Sequence, residues 1–511
     1  MEKSRLTKSS INIIINIIFS LAGLFLGMFR TKLFLSTYGS EMNGIYQFIL
    51  QYVSFLSIAE MGLAQLYNLK AYKYAAENNR EGLSLVYNGA KYFVRIILAI
   101  MILMIIVISI FIQFIRPEAS IPTIQIIILF VIICLPNLVS HMLLPNYVIV
   151  NSKQESYIYN FWRQFFIFVK MILSFYYITK LSFTYFIIVE ILIEILGYFV
   201  VKLRTDKIVK RVLIKTIDRE VIEFKNVNDF LKIRISILLI EYTDNTIITK
   251  YFSFVALSVF SSYTYVTNIL YSNISFIFDS CLHSLGHLFA SNEDYSPYIV
   301  RVLKALGRFL GLYMAILIIF FAERLVLFIA ANADVNYSID NYSNLIIAGT
   351  ILIKIYLQPY WIMISSKGTY MKAKKALYFE AVFNIIISII LIKMIGVFGA
   401  LLGTLISKVF IALPNYFNAS TETFCKKDLG FEYCKLIFCF MIMILFNSIY
   451  INFGFKQFIL NSQFIDLLYI AIPLAIIIGS ILFGIWLIID KDFRYFVVEN
   501  LMKIKGKLLR R

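Results

Sequence analysis

The strongest constraint on this chain is a recurrence. Apolar segments follow one another from end to end, separated by short polar loops, at 11–35, 44–68, 86–114, 122–150, 157–179, 183–201, 231–249, 256–290, 303–330, 342–365, 376–395, 397–422, 434–453 and 464–489. A helix rises about 1.5 Å per residue, so about 20 residues cross a hydrocarbon core roughly 30 Å thick. The pattern predicts an all-α polytopic membrane protein with about 14 transmembrane helices.

Lysine and arginine near helix ends are retained on the cytoplasmic side. With the N-terminus inside, the inside loops and termini hold 32 of these residues, and the outside loops hold Arg116, Lys180, Lys250, Lys393 and Lys456. The asymmetry predicts cytoplasmic N- and C-termini and an even number of spans.

The chain is 60% hydrophobic and 15% charged, and the longest stretch outside the apolar segments is 202–230. That leaves no room for a soluble catalytic domain. The net charge of +18 is one-sided, so topology and anionic lipids explain it better than nucleic acid does. The cysteines (Cys134, Cys281, Cys425, Cys434, Cys439) fall in spans or on the reducing side, and no disulfide is expected. Their spacing lacks the paired C-x2-C unit of a zinc site. No phosphate-binding loop of an ATP-driven pump is present.

The loop 202–230 divides the spans into six and eight. The expected parse is an N-terminal six-helix bundle (1–201), a basic cytoplasmic linker (202–230) able to lie as an amphipathic helix on the inner leaflet, a C-terminal six-helix bundle (231–422), two additional helices (423–489) and a basic amphipathic tail (490–511). The elbow at Tyr38 to Tyr46 can be laid against Phe252 to Phe260 as a trace of internal repetition. In the tail, Phe493, Val497, Leu501, Ile504 and Leu508 share a helical face, which reads as an interfacial anchor.

Charge inside a span is costly unless it meets a partner or water, so each such residue is a functional candidate. Lys170, Glu194, Lys354 and Lys408 fall near mid-bilayer, Glu241 and Asp244 outward of centre, and Glu60 and Asp279 toward the cytoplasm. Glu190 and Glu194, and Glu241 and Asp244, stand four and three apart and share helix faces. Paired carboxylates either take a coupling ion, H⁺ or Na⁺, or pair statically with Lys170, Lys354 or Lys408. Asp279, His283 and His287 form one polar stripe, suited to a gate, a proton path or a satisfied cavity face; no third ligand for a metal is identifiable. Lys91, Arg95, Arg163, Arg234 and Arg308 sit in first turns at the inner mouth. They either snorkel to lipid phosphates or form an electropositive funnel for an anionic head group such as a diphosphate.

Three stretches resemble the multidrug, oligosaccharidyl-lipid and polysaccharide (MOP) exporter superfamily, and within it bacterial polysaccharide flippases of the Wzx type. Arg30 in RTKLFLSTYG, followed by Asn43-Gly44-Ile45-Tyr46, is similar to the family's first helix with its cavity arginine. Gly396-Val397-Phe398-Gly399-Ala400, with Thr404 and Ser407 after it, resembles the hairpin between helices eleven and twelve. YTDNTIITKYFS resembles the start of the second half. The resemblance implies two six-helix bundles in a V-shaped arrangement plus two extra C-terminal helices. The implied non-enzymatic function is flipping an undecaprenyl-diphosphate-linked oligosaccharide repeat unit from inner to outer leaflet, for capsule, exopolysaccharide or O-antigen assembly.

On this reading Arg30 holds the diphosphate, with Lys170, Lys354 or Lys408 as further contacts, and Tyr46, Asn245 and Asn268 meet sugars. No cofactor is implied beyond H⁺ or Na⁺. The expected partners are the lipid-linked glycan, membrane lipids, a polysaccharide polymerase and chain-length machinery, with the chain itself monomeric. The chain departs from lipid II flippases in carrying no cation over 256–278. The competing readings are a cation-coupled multidrug exporter, which would suit the acidic residues, and a polysaccharide polymerase or glycosyltransferase, for which the outward loops are too short.

Overall fold

The computed structural model describes residues 2–60, 63–115, 119–153, 155–214, 216–220, 227–280, 285, 296–367, 369–420 and 426–498, and no strand occurs among them. The helices are α1 (Glu2–Phe55), a 3-10 turn (Leu56–Glu60), α2 (Leu63–Ala76), α3 (Arg80–Ile115), α4 (Thr123–Met142), α5 (Leu144–Ser152), α6 (Ser156–Tyr177), α7 (Phe183–Val212), α8 (Val227–Tyr251), α9 (Phe254–Ser280), α10 (Ser296–Ile329), α11 (Asn341–Lys367), α12 (Tyr370–Ile395), α13 (Gly399–Ser407), a π turn (Lys408–Ala412), α14 (Leu413–Ser420), α15 (Lys426–Asn452), α16 (Phe455–Asn461) and α17 (Phe464–Ile489). Among the described residues eight helices are long and apolar enough to cross a membrane: Arg80–Ile115, Thr123–Met142, Tyr298–Ile329, Asn341–Lys367, Lys372–Ile395, Gly399–Ser420, Lys427–Asn452 and Tyr469–Ile489. Helices α1, α2 and α6–α9 occupy the remaining expected positions. The protein is a multi-pass membrane protein.

Two turns depend on glycine. The first two spans form one long helix bent at Gly39, whose φ is +82°, and α12 ends at Gly396 with the same φ. A residue with a Cβ is disfavoured in that region. Pro145 likewise ends one helix and opens another: the fourth apolar segment divides into α4 and α5 at Leu143, with Pro145 in the first turn of α5.

The chain forms two compact units. The first comprises Met1–Leu238, Ile248–Ser258 and Ile329–Val335. In it α1 packs on α4 and α6, α6 on α7, and α3 on α4. Phe34 is buried amid the rings of Tyr38, Tyr46, Phe183 and Phe186. Beyond the Gly39 bend, the Asp334 carboxylate accepts hydrogen bonds from the Ser40 amide and hydroxyl, and Asn43 Nδ2 donates to Ser258 Oγ at 2.7 Å. The two elbows aligned in the sequence therefore touch.

Within 202–230, read from the sequence as able to form an amphipathic helix, the described helix runs to Val212. In this part of α7 Thr205, Ile208, Val209 and Val212 are buried, because these side chains repeat at helical spacing and pack inward. Residues 213–214 and 216–220 then lie over α2 and α3: the Glu220 amide donates to Leu85 O at 2.9 Å, Asn88 Nδ2 to Thr216 O and Asp218 O, and the Lys70 ammonium pairs with Glu220. Residues 221–226 lie outside the described residues.

The second unit comprises Leu239–Ile247, Val259–Phe328 and Asn336–Arg511. Helices α12 and α13 form a close hairpin, with α14 against α11. The tail is helical through Val498. Phe493 is buried against Phe309 and Phe483, so the tail's apolar face begins by packing on α10. Leu501, Ile504 and Leu508 lie outside the described residues.

Candidate functional site

Each unit carries its own constellation of ionisable side chains inside otherwise apolar helices. In the first, Glu190 and Glu194 lie one turn apart on α7 and each meets a cation: Arg30 Nη2 reaches Glu190 Oε1 at 2.6 Å, and Lys170 Nζ reaches Glu194 Oε2 at 2.8 Å. The four charges cancel. Tyr198 donates to Glu194 Oε1 at 3.4 Å, and the Arg30 guanidinium lies 5.6 Å from the centre of the Phe186 ring. Tyr46 stands beside that guanidinium, whose Nε has no hydrogen-bond partner among the described residues. The static pairing of carboxylate with lysine and the cavity arginine thus occur in one place.

In the second unit Lys408, at the start of the π turn, reaches Glu380 Oε1 at 3.1 Å. Asp244 Oδ2 accepts from Thr404 Oγ1 at 2.9 Å; that hydroxyl lies 3.3 Å from Asn384 Oδ1, and Ser388 Oγ lies 3.2 Å from the same oxygen and 3.3 Å from Ala400 O. The buried oxygens Asp244 Oδ1 and Glu380 Oε2 have no hydrogen-bond partner among the described residues. A carboxylate, hydroxyls, an amide and a peptide carbonyl form a hard, all-oxygen donor set suited to a proton or a group-one cation. Glu241, three residues from Asp244, is exposed. Lys354 on α11 borders a small pocket with Thr264, Thr267, Asn268, Tyr271 and Thr350.

Among the expected mouth residues, Lys91, Arg95, Arg163 and Arg234 are exposed, and Arg234 donates to Ser57 Oγ at 3.2 Å. Arg308 is a correction. Its side chain is 4% exposed and ion-paired with Asp490 at 2.6 Å and Glu432 at 3.6 Å, because α15 and the end of α17 cover it with carboxylates. It belongs to the interior of the second unit and not to a funnel. Glu60 lies 3.9 Å from His141 Nε2. Asp279 is exposed and accepts from Ser275 at 3.2 Å. His283 and His287, the rest of its stripe, lie outside the described residues. Among the described residues no group of three His, Cys, Asp or Glu side chains is arranged to hold a metal.

The sequence reading missed Glu380, Asn384 and Ser388, all fully buried on α12. Their signal was present as an i, i+4, i+8 polar stripe in the apolar run YFEAVFNIIISII. Glu432 and Asp490 were passed over because they sit at segment ends, where charge is unremarkable.

No protein-family model matches the sequence, and no curated protein aligns with it. Among solved structures the chain is similar to an inward-facing multidrug resistance MATE family transporter of the MOP superfamily, at a TM-score of 0.57 and 14% identity over 82% of this chain and 99% of that one. It is similar to the lipid II flippase MurJ in an inward closed conformation, at 0.54 and 17% over 92% and 99%. It is also similar to the Vibrio cholerae MATE transporter VcmN in a bent form, at 0.50 and 12% over 87% and 99%. The chain has the fold of MATE transporters and MurJ. The resemblance read from short motifs holds at that level, and identities this low carry the architecture alone.

Proposed function

We propose that this protein is a flippase that moves a polyprenyl-diphosphate-linked oligosaccharide repeat unit from the inner to the outer leaflet by alternating access. The observation that carries the reading is the pair of charged constellations set within apolar helices, Arg30–Glu190 and Lys170–Glu194 in one unit and Lys408–Glu380 beside Asp244 in the other. Burying such groups costs several kcal/mol each, which pairing only partly offsets, so apolar helices that keep them favour a polar path. A sugar chain on a diphosphate needs such a path, while its polyprenyl tail stays in lipid.

The exposed Lys91, Arg95, Arg163 and Arg234 would gather the anionic head group, and Arg30, Lys170, Lys354 and Lys408 would meet it within the membrane. The Asp244 cluster, with Thr404, Asn384, Ser388 and the Ala400 carbonyl, would take the coupling Na⁺ or H⁺. With the interior negative, each negative charge exported gains about 2.3 kcal/mol per 100 mV.

The likeness to MurJ extends over 92% of the chain, against 82% for the MATE transporter, and the added length supports a lipid-linked substrate. The acidic set of Glu241, Asp244 and Glu380 favours a second reading, a cation-coupled multidrug exporter. The test is Arg30→Ala in cells that make the surface polymer: the flippase reading expects lost polymer and accumulated lipid-linked repeat unit at normal protein level. Undiminished polymer together with drug sensitivity in a deletion strain would favour the exporter.

A further inference from the structure

The small pocket in the second unit stands apart from every ion pair described above. Thr264, Thr267, Asn268 and Tyr271 lie on successive turns of α9, and Thr350 and Lys354 lie one turn apart on α11, so two helix faces present hydroxyls, an amide and an amine to one space. No carboxylate lines it. Among Arg30, Lys170, Lys354 and Lys408, three already hold carboxylates at 3.1 Å or closer. Among the described residues no hydrogen bond or ion pair engages the Lys354 amine, whose charged neighbours Lys408, Glu241 and Asp244 act at longer range.

Tyr271 is held by a chain of hydrogen bonds: its hydroxyl donates to Gln358 Oε1 at 2.9 Å, Gln358 Nε2 to Ser275 Oγ at 2.7 Å, and Ser275 Oγ to Asp279 Oδ2 at 3.2 Å. Asp279 ends the chain that holds Tyr271.

We infer that this pocket is a binding subsite for an oxyanion flanked by hydroxyl groups: the Lys354 ammonium and the Asn268 amide meet the oxyanion, and the hydroxyl oxygens of Thr267, Tyr271 and Thr350, whose hydrogens go to Thr264 O, Gln358 Oε1 and Ile346 O, accept from the flanking hydroxyls. An ammonium that no hydrogen bond or ion pair engages among the described residues takes an anion without displacing a carboxylate, whereas an anion at Arg30, Lys170 or Lys408 must first displace one. The inference rests on the flippase reading and deepens it. The chemistry has two sources in such a substrate, the carboxylate of an acidic sugar and the phosphate of the carrier.

The experiment uses the full chain in detergent, with binding of pyrophosphate, glucuronate and glucose followed by thermal shift. Wild type is expected to bind pyrophosphate or glucuronate and not glucose. Binding should weaken about tenfold or more in Lys354→Gln, as for loss of one charged hydrogen bond, and less in Lys354→Arg. Preference for pyrophosphate assigns the carrier, and preference for glucuronate assigns an acidic sugar. Asn268→Leu, which keeps the bulk of the side chain and removes its donor, should weaken the same probe. Equal binding by Lys354→Gln and wild type, or no binding of either anion by folded wild type, overturns the inference. Flipping of lipid-linked oligosaccharide in proteoliposomes is scored separately, so anion binding without flipping would sink the flippase reading and leave the subsite standing.

Discussion

Arg308 and Asp490 are 182 residues apart in sequence, yet Arg308 Nη2 lies 2.6 Å from Asp490 Oδ2. The other oxygen of Asp490 accepts the amides of Asp492 and Phe493, both at 3.1 Å, so one carboxylate caps the terminal helix and holds α10. Farther along α10, Arg324 Nε donates to Ser462 O at 3.0 Å, and Glu323 faces Lys456 at 3.6 Å. These fastenings are about 24 Å apart at 1.5 Å per residue. Helices α15 and α17 are thus tied to α10 near both ends.

Breaking a buried ion pair by removing one partner leaves an uncompensated charge and costs roughly 3–5 kcal/mol. Arg308→Ala is expected to lower the stability of the purified protein by an amount of that order and to open the chain after Asp490 to protease. Asp490→Asn should cost less, because the amide retains the oxygen that caps Asp492 and Phe493. Equal thermal stability and equal protease resistance in Arg308→Ala and wild type would show that the pair fastens nothing.

In the first unit, Glu190 neutralises Arg30 at 2.6 Å and both side chains are largely shielded. Glu190→Gln should therefore lower the amount of folded protein in the membrane, and Arg30→Ala/Glu190→Gln should recover much of it, since the double variant buries no lone charge. Polymer at the cell surface should stay low in the double variant if Arg30 also meets substrate. Recovery of polymer along with protein would make the pair purely structural.

The spans were legible because a hydrocarbon solvent imposes length and polarity on each one, and the bends at Gly39 and Gly396 fell within stretches that resemble known hairpins. Pairings were less legible. Glu190 and Glu194 were seen to share a face, but nothing in one sequence says that Arg30 sits opposite Glu190 and Lys170 opposite Glu194. Arg308 was misread for the same reason: its turn is basic and amphipathic like its neighbours, and the carboxylates that cover it come from Glu432 and Asp490, far along the chain. The contacts of 213–214 and 216–220 with α2 and α3 were hidden because most are made through the peptide groups of that stretch, which carry no compositional mark.

Asp334 offers a pH test outside the spans. Burial raises its carboxyl, but the bonds from the Ser40 amide and hydroxyl outweigh that and hold it below the ordinary carboxylate value. A group depressed in the folded state stabilises fully above its unfolded value, about 3.9, and that contribution disappears as pH falls through the lower folded value. Wild type should exceed Asp334→Asn in stability at neutral pH, and the two unfolding curves should converge in the acid range. Parallel curves throughout would mean that the carboxylate charge is irrelevant to the Gly39 elbow.

The oxygen cluster around Asp244 makes the last expectation the most specific. Asp244 Oδ1 is buried without a hydrogen-bond partner among the described residues, and such an atom is costly unless a proton or a cation completes it. Sodium should raise the unfolding temperature of the purified protein over an equal concentration of a bulky organic cation, by the linkage that any ligand of the folded state obeys. Asp244→Asn should abolish that increment. Thr404→Val and Asn384→Ala should each reduce it, because they remove neighbouring oxygens from the same donor set. If the increment is absent in wild type while acidification alone stabilises it and not Asp244→Asn, the cluster holds a proton. An undiminished sodium increment in Asp244→Asn would place the cation elsewhere, and the neutral amide would then relieve an unmet carboxylate and raise the stability of the protein on its own.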